Sequence, residues 1–68
     1  MIIIVNGNET TVDADATIYD IVCELSENPP PSGIAVAQNF DVIPRSQWKE
    51  QKVAADDEIE VLWASSGG

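Results

Sequence analysis

The sequence closes with Ser65, Ser66, Gly67 and Gly68, directly after a run of strand-like residues. Small polar residues and glycines have little surface to bury, so residues 64–68 are expected to form a flexible tail that follows one domain over residues 1–63. Gly68 would then carry an α-carboxylate on a residue that has no side chain. Two interpretations are open: an inert frayed terminus, or a tail whose carboxylate takes part in chemistry.

Other groups that could do chemistry are scarce. The chain has 68 residues, one cysteine (Cys23) and no histidine. A Ser-His or Cys-His nucleophilic pair and an iron–sulfur cluster lack the groups they need, and no metal site is expected. A chain this short buries only about 60% of the surface that its unfolded form exposes, which leaves little room for a substrate cleft beside the core. The sequence therefore disfavours a self-sufficient enzyme.

Charge and cysteine content restrict the cellular compartment and the kinds of partner that are expected. A single thiol without an N-terminal secretory pattern favours a reducing, cytoplasmic location. Twelve acidic and three basic residues give a net charge of -9. Nucleic acids and anionic membranes would repel such a surface, so neither is expected as a partner, whereas an electropositive protein is. The alternative is that the charge only keeps a small domain soluble.

The elements that would position the tail can be predicted from periodicity and turn chemistry. Residues 1–5 and 9–12 read as strands on either side of Asn6 and Gly7, a strong hairpin signal because both residues accept positive φ. Thr17 and Asp20 have the spacing of a helix-capping pair. The helix that they begin must end before the prolines at 29–31. Its expected apolar face repeats at i, i+3, i+4 and i+7, on Ile18, Ile21, Val22 and Leu25.

The second half of the chain reads as short strands separated by turns. Residues 34–39 and 42–43 are expected to be strands on either side of a turn at Phe40 and Asp41, and a short helical turn should begin at Ser46. Residues 54–57 form another predicted turn, and residues 58–63 alternate as in a final strand. Only one helix is long enough to cover a sheet. The predicted fold class is therefore α+β, with that helix across one face of a mixed sheet.

This order of elements, with Gly67 and Gly68 last, resembles the ubiquitin-like β-grasp fold: four to five strands, one main helix and a short helical turn before the last strand. From Asn39 onward the chain looks like the second half of ThiS-type sulfur carrier proteins of thiamine biosynthesis. The matching pattern is an Asn, an apolar pair, Pro-Arg, a Trp three residues after the Arg, an acidic turn, a strand and Gly-Gly. It falls on Asn39, Val42, Ile43, Pro44, Arg45, Trp48, Asp57, Ile59, Val61, Gly67 and Gly68.

One departure from the family pattern concerns the final turn. The family usually has Gly before the Asp of this turn, and here Asp56 takes that place. Asp tolerates left-handed backbone better than most residues, so the turn is expected to survive. Trp48 is expected in the core or as a lid on it. Arg45 is expected either to anchor the short helical turn or to pair with the acidic region near the tail.

The resemblance implies a protein cosubstrate and not an enzyme. An adenylyltransferase related to ubiquitin-activating enzymes would use ATP and magnesium to adenylate the Gly68 carboxylate, and the chain itself would bind no cofactor. A cysteine desulfurase or a persulfide protein would supply sulfur for a thiocarboxylate, which would donate that sulfur to thiazole synthase. Ser65, Ser66, Gly67 and Gly68 would enter the partner's active site, where residues without Cβ let backbone approach closely.

A docking surface follows from the expected strand faces. If Ile3 points inward, Ile2 and Ile4 point outward, and Leu62 faces outward from the last strand. The first and last strands are neighbours in the β-grasp fold, which would bring Ile2, Ile4 and Leu62 together as an exposed apolar patch for a partner. A register shift of one residue would exchange the two faces.

Other functions remain open at this stage. A molybdopterin-synthase small subunit shares the fold and the tail, so the sulfur could serve another pathway. A ubiquitin-like modifier would use the same activated terminus, and isopeptide-linked adducts in cells would reveal it. A plain binding module is a third class, which predicts that removing Gly67 and Gly68 changes nothing.

Overall fold

The computed structural model describes residues 1–63, which form a five-stranded sheet and an α-helix. In chain order the elements are β1 (Ile2–Val5), β2 (Asn8–Thr11), α1 (Ile18–Leu25), β3 (Ile34–Gln38), β4 (Asp41–Val42), a 3-10 helix (Arg45–Gln47) and β5 (Glu58–Trp63). The strand order is β2-β1-β5-β3-β4; β1 and β5 are parallel, and the other neighbours are antiparallel. This confirms the predicted mixed sheet. Residues 64–68, the predicted tail, lie outside the described part of the chain.

The hairpin between β1 and β2 forms where its turn chemistry predicts. Asn6 has φ 50° and Gly7 has φ 84°, the paired positive values of a type I′ turn. A side chain at Gly7 would meet open space, so its requirement for glycine is conformational and not steric. The turn fixes the register, with Val5 opposite Asn8 and Ile4 opposite Glu9.

Helix α1 begins with the predicted capping pair. Thr17 Oγ1 accepts from the Asp20 amide at 3.2 Å, and Asp20 Oδ2 accepts from the Thr17 amide at 3.0 Å. Ile18, Ile21 and Val22 are buried as predicted, but Leu25 is 43% exposed. The prediction places Leu25 only on the same helix face, and it is the last residue of α1.

The core lies between α1 and one face of the sheet. Its sheet residues alternate with less buried ones along β1 and β5, as expected for strands with one covered face. The cluster is completed by residues of the segment between β4 and β5 and by Ala16, which lies before α1. The buried members of this cluster are Ile3, Val5, Ala16, Ile18, Ile21, Val22, Val36, Trp48, Val53, Ile59 and Val61.

The second half of the chain differs from the prediction by one residue in three places. The turn after β3 is at Asn39 and Phe40, both with positive φ, so β3 ends at Gln38 and β4 occupies Asp41–Val42. The chain turns one residue early because the Asn39 side chain bonds to the start of β5. The 3-10 helix begins at Arg45, not Ser46, and is closed by a bond from the Gln47 amide to the Pro44 carbonyl at 2.9 Å.

Candidate docking face and tail-bearing strand

Strand β5 is the last described element and is followed in the sequence by residues 64–68, the predicted tail. It lies in the centre of the sheet, parallel to β1 and antiparallel to β3. Ile59 and Val61 are 1% exposed on the face toward α1. Neighbours on both sides and burial on one face hold the strand in a single register.

The side chain of Asn6 extends the β1 ladder along β5. Its Nδ2 donates to the Val61 carbonyl at 3.2 Å, and its Oδ1 accepts from the Val61 amide at 2.8 Å. The main chain of β1 has already turned away at this point, so the Asn6 amide stands in for the next peptide group. Pairing on the β1 side therefore continues to Val61, two residues before β5 ends at Trp63.

The start of β5 is fixed by the carboxylate of Asp57. One oxygen accepts from the Ala54 amide at 2.7 Å and from Gln38 Nε2 at 2.8 Å, and the other accepts from Asn39 Nδ2 at 3.0 Å. Partial burial raises the pKa of Asp57, but these hydrogen bonds outweigh it and leave the pKa below its usual value. The preceding residue, Asp56, has φ 69°, which confirms the predicted left-handed turn.

The Pro-Arg-x-x-Trp segment is a structural brace, meaning that its Arg and Trp side chains contact other parts of the domain and hold them together. Trp48 is 1% exposed, which confirms its predicted place in the core, and its Nε1 donates to the Ile43 carbonyl at 2.9 Å. The Arg45 guanidinium lies 5.1 Å from the centre of the Trp48 ring and donates to the carbonyls of Pro30 and Pro31. Of the two expected roles of Arg45, anchoring is the one seen within residues 1–63.

The sheet face turned away from α1 is called the outer face here. It carries alternate residues of β1, β2, β3 and β5, together with Val42 of β4. Cross-strand neighbours connect them in rows, such as Glu9, Ile4 and Glu58, or Val42, Ala37 and Glu60. The face thus mixes exposed apolar side chains with carboxylates.

The three residues predicted as a docking patch all lie on the outer face but do not meet in one place. Ile4 is opposite Glu58, so Leu62 lies four residues further along β5, about 13 Å away along the strand direction. Ile2 lies two residues from Ile4 in the other direction. Ile2 and Leu62 are 48% and 61% exposed, and Leu62 is opposite Ala35 of β3. The expected faces are right, whereas the expected clustering is wrong because of the strand register.

Two exposed apolar residues of this face were missed from the sequence. Phe40 is 81% exposed and Val42 is 75% exposed. The sequence analysis assigns Val42 only to a short strand and Phe40 only to a turn. The available signal was the residue pair itself, since an aromatic residue follows Asn39 where a hairpin turn favours glycine.

All three basic side chains have partners away from the outer face. Arg45 lies over Trp48, Lys49 Nζ lies 4.9 Å from the centre of the Tyr19 ring, and Lys52 Nζ lies 3.8 Å from Asp15 Oδ1. The acidic residues Glu9, Glu58 and Glu60 therefore set the sign of the field on the outer face. Its natural complement is a positively charged surface.

Residues 1–63 contain neither a metal-binding cluster nor a helix that could cross a membrane. Within this range no three acidic, cysteine or histidine side chains gather as metal ligands would. None of the helices described there has the length and apolar character needed to cross a bilayer.

Comparison with known proteins identifies the family. The model of the ThiS family matches residues 3–68, nearly the whole chain. The chain belongs to the ThiS family. A crystal structure of the thiamine biosynthesis protein ThiS from Geobacter metallireducens is similar to it, with a TM-score of 0.79, 26% sequence identity and 100% of each chain covered. No curated protein matches the sequence.

A second solved structure supports the fold alone. SAMP1 from Haloferax volcanii has a TM-score of 0.62 and 19% sequence identity, covering 98% of this chain and 97% of that one. Both comparisons agree with the five-stranded sheet and single described helix, so the ubiquitin-like β-grasp prediction is confirmed. Membership in the ThiS family indicates a ubiquitin-like sulfur carrier protein, which is a carrier and not a catalyst.

Proposed function

We propose that this ThiS-family chain carries sulfur as a thiocarboxylate on Gly68 and donates it to thiazole synthase in the cytoplasm. The observation that carries the proposal is the match to the ThiS family, which extends through Gly67 and Gly68. The geometry of β5 supports it, because a centrally held strand leads straight into residues 64–68. The proposal requires Gly68 to bear the free α-carboxylate.

The chemistry begins with activation by an adenylyltransferase related to ubiquitin-activating enzymes. A carboxylate is a poor electrophile, so the Gly68 oxygen attacks the α-phosphate of ATP, pyrophosphate leaves, and a mixed anhydride with AMP forms. ATP and magnesium are bound by that enzyme. The five residues after Trp63 can span at most about 17 Å when extended, which sets how far the partner's active site can lie from the end of β5.

Sulfur transfer follows from the mixed anhydride. The terminal sulfur of a persulfide, on a cysteine desulfurase or another persulfide protein, attacks the Gly68 carbonyl carbon, and AMP leaves. A thiol then reduces the acyl disulfide that forms. Its sulfur attacks the cysteine sulfur of the donor protein, which breaks the S–S bond and leaves the thiocarboxylate on Gly68. The new disulfide joins the reducing thiol to the donor cysteine. Each step uses groups of the partners, in keeping with a chain that has no histidine.

Intact-protein mass spectrometry tests this proposal. The chain is incubated with ATP, magnesium, the thiamine-pathway adenylyltransferase and a sulfur donor, and the product is alkylated and mapped. Alkylation is needed because oxidation of Met1 nearly equals the mass change of exchanging one oxygen for sulfur. A Cys23→Ser variant removes the only thiol side chain that would react in the background.

The expected result is an alkylated Gly68 terminus that is absent when Gly68 is deleted. A terminus that stays unmodified with the thiamine-pathway enzyme would contradict the proposal. Modification only by molybdopterin-pathway enzymes would reassign the sulfur acceptor, and isopeptide-linked adducts would indicate a protein modifier.

A further inference from the structure

Phe40 has a conformation and an environment that the fold does not explain. It is 81% exposed, so its ring adds little to the core, and its φ is 72°, a left-handed value that glycine or asparagine adopts far more readily. A bulky residue in this region is an outlier whose strain the rest of the structure must offset. Neither burial nor local backbone preference favours Phe at this position.

The turn that carries Phe40 is firmly held. Asn39 donates its backbone amide to the Glu58 carbonyl at 2.7 Å, and its Oδ1 accepts from the Glu58 amide at 2.9 Å. Its Nδ2 also donates to Asp57 Oδ1 at 3.0 Å. These bonds tie the turn to the start of β5, so the Phe40 ring is presented from a fixed backbone and needs little ordering when it meets a partner.

Phe40 lies beside acidic residues of the outer face. Phe40 borders a shallow depression together with Ile4, Glu58 and Glu60. Val42 is 75% exposed and lies on the same face. Its cross-strand neighbour is Ala37, which is opposite Glu60 on its other side. Apolar side chains are thus bordered by negative charge, while Arg45, Lys49 and Lys52 are engaged elsewhere.

We propose that Phe40 is an aromatic anchor that enters an apolar pocket, bordered by Lys and Arg, on the adenylyltransferase that activates Gly68. The inference rests on the proposed function and adds to it a specific contact residue and the chemistry of the complementary surface. Val42 and Ile4 flank the anchor, and Glu58 and Glu60 pair with the basic border. Central aromatic residues surrounded by a polar rim are the usual arrangement of an interface hot spot.

Phe40→Gly separates binding from folding unusually well. Glycine adopts positive φ without strain, so the variant loses the ring but keeps the turn. Its melting temperature is expected to equal that of the wild type or to lie up to about 8 °C above it. Its affinity for the purified adenylyltransferase, measured by calorimetry without ATP, is expected to fall at least about tenfold.

Three further variants make the assignment specific. Phe40→Asn also tolerates positive φ, so a loss shared with Phe40→Gly reports the missing ring and not a changed turn. Phe40→Tyr keeps the ring and should bind within about threefold of the wild type. Leu25→Ser removes an exposed apolar side chain at the end of α1, and it should leave the affinity unchanged.

Salt dependence tests the expected charge of the partner. Wild-type affinity should fall as ionic strength rises, and a Glu58→Gln, Glu60→Gln double variant should show a clearly smaller fall. An affinity independent of salt would overturn the basic border of the pocket. Phe40→Gly and Phe40→Asn binding within about twofold of the wild type would overturn the anchor.

Failure of this inference can be told apart from failure of the proposed function. The same wild-type sample is supplied with ATP, magnesium and a sulfur donor, and its terminus is analysed by mass spectrometry. If Gly68 is converted while the Phe40 variants bind normally, the anchor alone is wrong. If the wild type neither binds nor is converted, the proposed function is wrong, and the anchor is overturned with it.

Discussion

The Pro-Arg-x-x-Trp segment and the β3–β4 turn lie close together in the sequence but differ in what explains their side chains. In the first, Arg45 and Trp48 each have internal partners: proline carbonyls, the Ile43 carbonyl and each other. In the second, Asn39 is hydrogen-bonded to Glu58 of β5, but Phe40 is exposed and has a left-handed backbone conformation. A family motif can therefore be a structural brace, while a residue outside the motif is the better candidate for recognition.

Among the residues compared, Trp48 should contribute most to the free energy of unfolding. Trp48→Ala removes a ring that is 1% exposed and should cost about 3–5 kcal/mol, much of the stability of a small domain. Chemical denaturation followed by circular dichroism measures the loss. Trp63→Ala is the matched control; Trp63 is 47% exposed and should cost clearly less. Equal losses would show that Trp48 has no special role in the fold.

Asp57 should give the next largest effect because three donors depend on one carboxylate. Asp57→Ala is expected to cost roughly 1–3 kcal/mol, since the donors of Ala54, Gln38 and Asn39 lose their acceptor. Asp56→Asn is the control, because Asn also tolerates φ 69°. Denaturation midpoints compare the two. A loss at Asp56 as large as at Asp57 would contradict the assignment.

The same carboxylate predicts a direction for the pH dependence. The pKa of Asp57 is lowered in the folded state from 3.8, so its contribution is fully present above that value and is lost as pH falls through the lower folded pKa. The stability difference between the wild type and Asp57→Asn should therefore shrink as the pH drops below about 4. A difference that stays constant from pH 7 to pH 2 would rule out this contribution.

Arg45→Lys should have a smaller effect of about 1 kcal/mol. A lysine retains the charge but cannot donate to the carbonyls of Pro30 and Pro31 together while stacking on Trp48. Lys49→Arg makes the reverse exchange at an exposed residue over Tyr19 and should change stability by less than about 0.5 kcal/mol. Thermal unfolding of both variants decides whether the guanidinium geometry matters.

Leu62→Ser should have the smallest effect on the fold. Leu62 is 61% exposed, so the free energy of unfolding should change by no more than about 0.5 kcal/mol. If the outer face is the docking surface, conversion of Gly68 by the adenylyltransferase should nevertheless slow. Leu25→Ser is the control for this experiment. It shows whether removing an exposed apolar side chain elsewhere on the domain also slows the conversion of Gly68. Equal rates for Leu62→Ser and the wild type would exclude Leu62 from the docking surface.

Local chemistry made much of the fold predictable. The Asn6-Gly7 turn, the Thr17 cap and the alternation in β5 each depend on residues that are close in sequence, and all three were confirmed. The partners of Arg45 were not predictable in the same way. They are carbonyls 14 and 15 residues away, brought near only by the folded loop.

Strand register limited the prediction of the docking surface. Alternation places Ile2, Ile4 and Leu62 on one face, but only the pairing of Ile4 with Glu58 shows how far apart they lie. Phe40 was missed because the sequence analysis treats it only as part of a turn, although an aromatic residue directly after Asn39 is a signal that the sequence contains. The positive φ of Phe40 became visible only in the structure, where Asn39 is bonded to Glu58.

The central claim is that the outer face binds the partner, whereas the contacts of Arg45 and Trp48 stabilise the fold. An NMR titration tests this claim most directly. The ¹⁵N-labelled chain is titrated with the unlabelled adenylyltransferase, and amide signals are followed by cross-saturation. The account predicts that the affected amides lie along the outer face, near Ile4, Phe40 and Glu58 and extending to Leu62. Effects concentrated on α1 and around Arg45 and Trp48, with the outer face unchanged, would contradict it.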